Sequence, residues 1–378
     1  MDRLPAVSAI AIGEVIAGFV PTRRFERASF ETYEPDPRYP SQLAARERLR
    51  EFAARIGQVQ RAQLLKRLMR KADDGPSAMY LDGGYGVGKT HLLAATYHAV
   101  TGQRLYLSFG ELAYTISRLG LEPTLQAMAH TRLLCIDEFE LDDVAQTRMA
   151  SMFLRRLLER RGEPIAVVTT SNTLPSDLGQ GRFAAEAFQR EIGEIANRFT
   201  VLTVDGEDYR HRHWNELVLD SSVAVTPQAL QQAYETDAAA EEARVLLEWP
   251  ALARQLESVH PVQYSQIAMR LDALFIARLQ RIDDQAVALR LVHFVDKLYD
   301  QEVRLSISML DGLSLADLFA ISYRHGGYEK KYRRCLSRLH ELVSETSAAT
   351  RSPHRANGRA ELPAGHPDAH CGDPAPAN

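Results

Sequence analysis

The chain has 378 residues, enough for one large or two ordinary domains, and its 45% hydrophobic and 25% charged content is that of a soluble globular protein. No apolar run approaches the ~20 residues of a membrane span, the net charge of -4 gives no bulk attraction to nucleic acid, and the start Met1-Asp2-Arg3-Leu4-Pro5 has no signal-peptide pattern. Three distant cysteines, Cys135, Cys335 and Cys371, exclude a disulfide frame or zinc site and fit a reducing compartment, so a cytoplasmic protein is expected.

Residues 1–40, broken by Pro5, Pro21, Pro35, Pro37 and Pro40, read as an irregular arm. From Ser41, a candidate N-cap, to Lys71, the apolar residues Leu43, Leu49, Phe52, Ile56, Leu64, Leu65 and Leu68 are interleaved with many Arg and Lys. That pattern predicts a helix with a solvated basic face. Asp73-Asp74-Gly75-Pro76 then breaks the chain, which sets residues 1–72 apart as an N-terminal arm and helix.

Ala78-Met79-Tyr80-Leu81 reads as a strand that runs into Gly83-Gly84-Tyr85-Gly86-Val87-Gly88-Lys89-Thr90, and a helix-competent run follows to Val100. The eight residues fit the phosphate-binding loop G-x-x-x-x-G-K-[ST], in the strand–loop–helix context that a working loop needs. Glycines let backbone N–H groups turn inward around a phosphate without Cβ clashes, and the helix N-terminus adds partial positive charge. Lys89 is expected to bridge the β- and γ-phosphates of ATP, and the Thr90 hydroxyl to ligate Mg²⁺.

Strand and helix alternate from there to about residue 205. Strands are expected at 78–82, 104–108, 132–137, 165–171 and 200–204, and helices at 90–100, 110–119, 122–130, 143–161 and 184–196. This alternation predicts an α/β fold, a mainly parallel sheet covered on both faces, with ligands at the C-terminal strand ends. Residues 73–220 form this core. Leu133-Leu134-Cys135-Ile136-Asp137-Glu138 is an apolar strand that ends in two acids. Asp137 is expected to hold Mg²⁺ and Glu138 to polarise the attacking water. The next strand, Ile165 to Ser171, ends at Asn172, placed to contact that water or the γ-phosphate; the other reading of Asn172 is a cap before the Leu174-Pro175 loop. Arg182, Arg190 and Arg198 precede the last core strand. Arg190, between Phe188 and Ile192, is the candidate for a transition-state arginine supplied by a neighbouring subunit; a surface ion pair would account for any of the three equally well.

Residues 221–260 read as helical and polar. A strand near 273–279, a helix near 284–300 and a strand near 303–309 then echo the core. Ile282-Asp283-Asp284 matches Leu141-Asp142-Asp143, which sets Arg278-Leu279 against Asp137-Glu138. A degenerate internal repeat without its own metal site is one explanation, and chance likeness between βαβ units is the other. Arg290, on the apolar helix, is a candidate to reach back to the nucleotide, or else a snorkelling surface arginine. A helix from Glu329 to Thr346 closes a C-terminal region of residues 221–346. Residues 347–378, rich in Ala, Pro, Ser, Gly and His, have too little apolar surface to offset ordering and are expected to be a disordered tail.

The order of phosphate loop, acid pair and polar strand end resembles that of AAA+ ATPases, with Asn172 at the sensor-1 position. More specific are Asp137-Glu138-Phe139 with Asp142-Asp143, Thr170-Ser171-Asn172 with Leu174-Pro175, Gly206-Glu207-Asp208-Tyr209-Arg210, Asp296-Lys297-Leu298-Tyr299-Asp300, Leu336-Ser337-Arg338-Leu339, and upstream Tyr33-Glu34-Pro35-Asp36-Pro37 with Ser41-Gln42. Together, over residues 30–345, they resemble the ZapE family of bacterial cell-division ATPases, related to mitochondrial AFG-type ATPases; Gly181-Arg182-Phe183 to Arg190-Glu191-Ile192 and Asp208-Tyr209-Arg210-His211-Arg212 look most like its actinobacterial branch. The resemblance implies an AAA+-like P-loop core with a smaller C-terminal α/β or helical region. It also implies a Mg²⁺-dependent ATPase that regulates or remodels the division ring, with FtsZ as partner, nucleotide-dependent self-assembly, and a cytoplasmic location at the division site. Two other classes share the core: a nucleic-acid-associated ATPase such as a helicase loader, and a nucleotide-gated scaffold with little hydrolysis.

Overall fold

The computed structural model describes residues 3–5, 16, 18–66, 78–84, 86–139, 144–159, 165–172, 193, 197–207, 224–310, 312–320 and 329–351. After an arm comes helix α1 (Pro40–Lys66). It starts at Pro40, so Ser41 is not its N-cap; the Ser41 hydroxyl instead accepts the Asp205 N–H at 3.0 Å. The core then runs β1 (Ala78–Asp82), α2 (Lys89–Ala99), β2 (Arg104–Ser108), α3 (Phe109–Leu119), α4 (Leu121–Ala127), β3 (Leu133–Asp137), α5 (Val144–Leu158), β4 (Ala166–Ser171) and β5 (Thr200–Thr203). The helix expected at 184–196 falls outside the described residues, apart from helical Gly193.

All five strands are parallel, in the order β2-β3-β4-β1-β5. Every residue of β1 is buried because both faces are covered. Tyr80, Leu105, Leu107, Leu134 and Ile136 pack under α3 and α5. Met79, Leu81, Leu133, Cys135 and Val168 pack under α2, α1 and the arm. This two-sided burial is why the strands read as continuous apolar runs.

The chain continues through α6 (Pro227–Thr236), β6 (Arg244–Glu248), α7 (Trp249–Ser258), α8 (Tyr264–Met269), β7 (Ala273–Leu279), α9 (Gln285–Asp300), β8 (Arg304–Met309) and α10 (Glu329–Arg351). The C-terminal region is therefore α/β, with a second parallel sheet ordered β6-β7-β8. The helical reading of 221–260 missed β6. Arg244-Val245-Leu246-Leu247-Glu248 is too short to show a period, and it is a strand because Val245 and Leu247 join one core while Leu246 packs with Phe275 in another.

The second sheet repeats the β2-β3-β4 side of the first. Leu133 pairs with Arg104 and Ala166, and Ala273 pairs with Arg244 and Arg304. The Arg132 N–H donates to the Gln103 carbonyl at 2.8 Å and the Asp272 N–H to the Ala243 carbonyl at 2.8 Å. At the other strand end, the Glu138 N–H donates to Thr170 Oγ1 at 3.1 Å, and the Arg278 N–H to Ser308 Oγ at 3.0 Å. Both residues are left-handed, with φ of 52° and 55°. One constant offset carries Arg104, Arg132 and Glu138 onto Arg244, Asp272 and Arg278. The strands thus set Ala277-Arg278 against Asp137-Glu138, one residue earlier than the aspartate pairs suggest. Among the described residues the copy lacks both acids and any counterpart of β1 and its loop. Ser308→Ala removes the partner of the Arg278 N–H at a fully buried position and is expected to cost roughly 1 kcal/mol; an unchanged urea midpoint would show that the hydroxyl does not hold this strand end.

Candidate active site

The phosphate loop leaves β1 under tight steric control. A Cβ on Gly83 would lie 2.2 Å from the Val204 carbonyl oxygen, so the chain after β5 leaves room only for glycine there. Gly88 ends the loop in a left-handed conformation, φ 90°, and α2 starts at Lys89. Lys89 is buried, and its ammonium donates to the Gly83 carbonyl at 2.7 Å, to the Gly84 carbonyl, and to Asn172 Oδ1 at 3.0 Å. Asn172 therefore sits at the end of β4 against the loop lysine. Tyr85 lies outside the described residues.

Asp137, at the end of β3, gathers four donors. Thr90 Oγ1 donates to its Oδ1 at 3.3 Å, and Tyr106 Oη to its Oδ2 at 3.0 Å. The Thr170 hydroxyl and the Glu138 N–H both reach Oδ1. Burial pushes the Asp137 carboxyl up to about 6, and the nearby charges of Glu138 and Asp300 add to this, while the bonds from Thr170 and Tyr106 oppose it. Glu138 points outward and is exposed, with its N–H held by Thr170.

These residues line one wall of a cleft of about 1740 Å³, and the C-terminal unit supplies the other wall. That exceeds the roughly 300–1,000 Å³ of an ordinary small-molecule pocket, so the site lies open between the two units. Lys297 and Asp300 of α9 face it. Burial works against the Lys297 charge, but Glu111, Asp300, Glu138 and Asp296 outweigh it and hold its pKa above the ordinary lysine value. Asp296 is buried and takes Arg334 and Arg338 of α10 at 2.5 Å each. Ser265 of α8 crosses the cleft to Glu111 Oε1 at 2.6 Å.

The structure thus brings Gly83, Gly84, Gly86, Val87, Gly88, Lys89, Thr90, Asp137, Glu138 and Asn172 to one place. Arg182 and Arg190 fall outside the described residues. Arg198 is in a surface ion pair with Glu159 at 2.8 Å. Arg290 is not in the cleft wall: it lies two turns before Lys297 on α9, close enough to Tyr264 to oppose the upward shift that burial gives that phenol. Arg290 shares a helix face with Lys297 but sits nearer the N-terminal end of α9, beside Tyr264, and Lys297 takes the cleft position. Tyr106, Lys297 and Asp300 were not singled out from the sequence. Lys297 and Asp300 did lie within a quoted family motif, whereas Tyr106 sits in an ordinary apolar strand with no signal.

A parallel α/β sheet whose strand ends join a phosphate loop, an acid pair and a polar β4 terminus defines a P-loop ATPase with an AAA+-like core. The chain belongs to the AFG1-like ATPase family, whose model matches residues 20–248 and 214–350. It is 25% identical over 316 positions to the cell division protein ZapE of Escherichia coli (strain K12), covering 71% of this chain and 78% of that protein. It is also 31% identical over 156 positions to the uncharacterized protein C115.02c of Schizosaccharomyces pombe, covering 36% of this chain and 33% of that one. Among solved structures, the DnaC helicase loader gives a TM-score of 0.35 at 20% identity, over 48% of this chain and 99% of its own. AMPPCP-bound DnaA from Aquifex aeolicus gives 0.35 at 12% identity, over 88% and 93%.

The Asp137 shift has a stability consequence. Because the folded-state pKa is raised, this group favours the fold below its ordinary value of 3.8, and that contribution is lost as pH rises through about 6. In nucleotide-free buffer with a chelator, Asp137→Asn is expected to raise the Tm at about pH 8 by roughly 2–4 °C and to give no gain near pH 4. Equal Tm values at about pH 8 would show that the carboxylate ionises there without cost.

Proposed function

We propose that this ATPase works with Mg²⁺ at the cleft, and that hydrolysis serves the bacterial division ring through contact with FtsZ polymers. The observation that carries the first part is the meeting of Lys89, Thr90, Asp137, Glu138 and Asn172 at adjacent strand ends. Thr90 Oγ1 and Asp137 Oδ1 stand 3.3 Å apart. They are hard oxygen donors, one of them anionic, which is the donor chemistry Mg²⁺ takes. The proton-prone Asp137 carboxyl is also one that a nearby dication would hold ionised. Held by Thr90 and Asp137, Mg²⁺ would supply charge neutralisation to the phosphates. Lys89 bridges the same phosphates, and the inward N–H groups of residues 83–90 and the α2 N-terminus orient them. Glu138 accepts a proton from water as it attacks the γ-phosphorus and the bond from that phosphorus to the β,γ-bridging oxygen breaks, releasing ADP, and Asn172 holds that water in line. Arg190, contributed by a neighbouring copy in a nucleotide-dependent homo-oligomer, is our candidate for the remaining transition-state charge, worth on the order of 10³–10⁵ in rate.

The division role is supported by the family and by the name of the Escherichia coli relative. Its setting would be the cytoplasmic face of the division site; among the described residues no helix is long and apolar enough to cross a membrane. Lys89→Ala is expected to abolish Mg²⁺-dependent phosphate release, and Glu138→Gln to bind ATP while losing about 10²-fold or more in turnover. Undiminished turnover in Glu138→Gln would remove Glu138 from the base role. FtsZ polymers should co-sediment with the protein in an ATP-dependent way. Pelleting that ignores ATP would undercut the division-ring role and leave the ATPase standing.

A further inference from the structure

A phosphate loop that turns its N–H groups inward must turn carbonyls outward, and those carbonyls need partners. Tyr33 supplies one. It is buried, and its hydroxyl donates to the Val87 carbonyl at 3.1 Å. In a trans peptide the C=O and the following N–H point in opposite directions, so a bond that fixes the Val87 carbonyl on the arm side turns the Gly88 N–H into the loop. The Tyr33 ring lies so close that a Cβ on Gly88 would come within 2.5 Å of its Cε2. The neighbouring arm residues grip the start of α2. His91 Nε2 is 3.0 Å from both Thr32 Oγ1 and the Ser29 carbonyl, and its ring tilts against Tyr33 at 5.7 Å. From the far side, Gln42 Nε2 donates to the Asp205 carbonyl at 2.8 Å, and a Cβ on Gly206 would lie 3.0 Å from Val87.

Nine residues before Tyr33 the same arm is fastened to the C-terminal unit. The Arg24 guanidinium lies 3.8 Å from the centre of the Tyr299 ring and pairs with Glu341 at 3.3 Å; Tyr299 Oη donates to both oxygens of Glu341 at 2.9 Å. Arg23 pairs with Asp272 at 2.9 Å and donates to the Met269 and Leu271 carbonyls at 3.3 Å each. Between the two anchorages, the Phe25 carbonyl meets His98 Nε2 at 3.0 Å on the last turn of α2. We infer that residues 23–42 form a strap in which Tyr33 is a positioning residue for the phosphate loop, and through which docking of the C-terminal unit by Arg24 sets nucleotide affinity. The inference rests on the reading of residues 83–90 as the nucleotide site.

The test is titration calorimetry of the full chain with ADP, alongside thermal melts and steady-state kinetics. Tyr33→Phe keeps the ring on Gly88 and loses only the hydroxyl. It is expected to weaken ADP about 5–10-fold, comparable to the worth of one buried hydrogen bond, and to raise KM for ATP more than it lowers kcat, with the melt lowered by no more than one such bond accounts for. Arg24→Ala, which cuts the strap at its anchorage on Tyr299 and Glu341, is expected to weaken ADP as well. In the double variant the two losses should not multiply, because cutting the strap at either anchorage removes the same restraint. A lowered Tm with ADP affinity intact in Tyr33→Phe would overturn the positioning role. Intact affinity in Arg24→Ala, or fully multiplicative losses, would overturn the strap. Wild-type protein that binds ADP no better than Lys89→Ala would instead sink the nucleotide-site reading itself.

Discussion

A loop that is to offer N–H groups to a phosphate must also place its carbonyls, and contacts around residues 83–90 hold several of them. Tyr33 takes the Val87 carbonyl from one side. The Lys89 ammonium takes the Gly83 and Gly84 carbonyls. The chain after β5 presses so close to Gly83 that no side chain fits. The Tyr33 and Val204 contacts leave the phosphate site free, whereas the Lys89 ammonium is the group that would turn to the phosphates. Together they fix the peptide planes before any ligand arrives, which moves the ordering cost from binding to folding. That cost is carried by the large core beneath, where β1 is buried along its whole length.

The second constraint is electrostatic. Parallel strands deliver Asp137 to a crowded edge, where desolvation raises its pKa. The fold answers with hydroxyl donors on the flanking strands, Tyr106 from β2 and Thr170 from β4. It also places cations on the opposite wall, where Lys297 stands among Glu111, Asp300, Glu138 and Asp296. Asp296 in turn is tied to Arg334 and Arg338. The site is therefore an alternation of charges carried by two separate units. Its balance depends on how the units dock, which gives the Arg23 and Arg24 anchorages their importance.

What could be read from the sequence followed from how local each signal is. The loop, the acid pair and Asn172 are contiguous with strands that have strong apolar patterns, so their meeting could be derived from the rule that ligands gather at parallel strand ends. Helix α9 was legible as a helix from Leu289, Leu291, Val292, Val295 and Leu298, but which of its cations meets the cleft depends on where along its length the helix crosses the cleft. That tertiary choice put Lys297 in the cleft and Arg290 beside Tyr264. Strand β6 was hidden because five residues cannot display a period, and Ser41 looked like a cap because a hydroxyl next to a helix start has the same signature whether it caps or bonds to a distant N–H. The role of Tyr33 had no sequence signal beyond the family motif, since its partner carbonyl is 54 positions away.

The repeated sheet bears on how strain at the acid pair should be understood. A left-handed glutamate at a strand end invites a catalytic explanation, because strained backbone gathers at functional sites. Arg278 has the same φ, the same N–H bond to a hydroxyl on the next strand, and no acid pair beside it. The conformation therefore belongs to the way this strand pair terminates: the N–H turns across to the neighbouring hydroxyl, and the side chain swings out to the exposed edge. In the core that edge is the cleft, and the outward side chain is Glu138. In the copy it is an arginine with no phosphate loop opposite. The geometry that presents Glu138 to water is thus a property of the sheet, and what distinguishes the core is the residue placed there and the loop it faces.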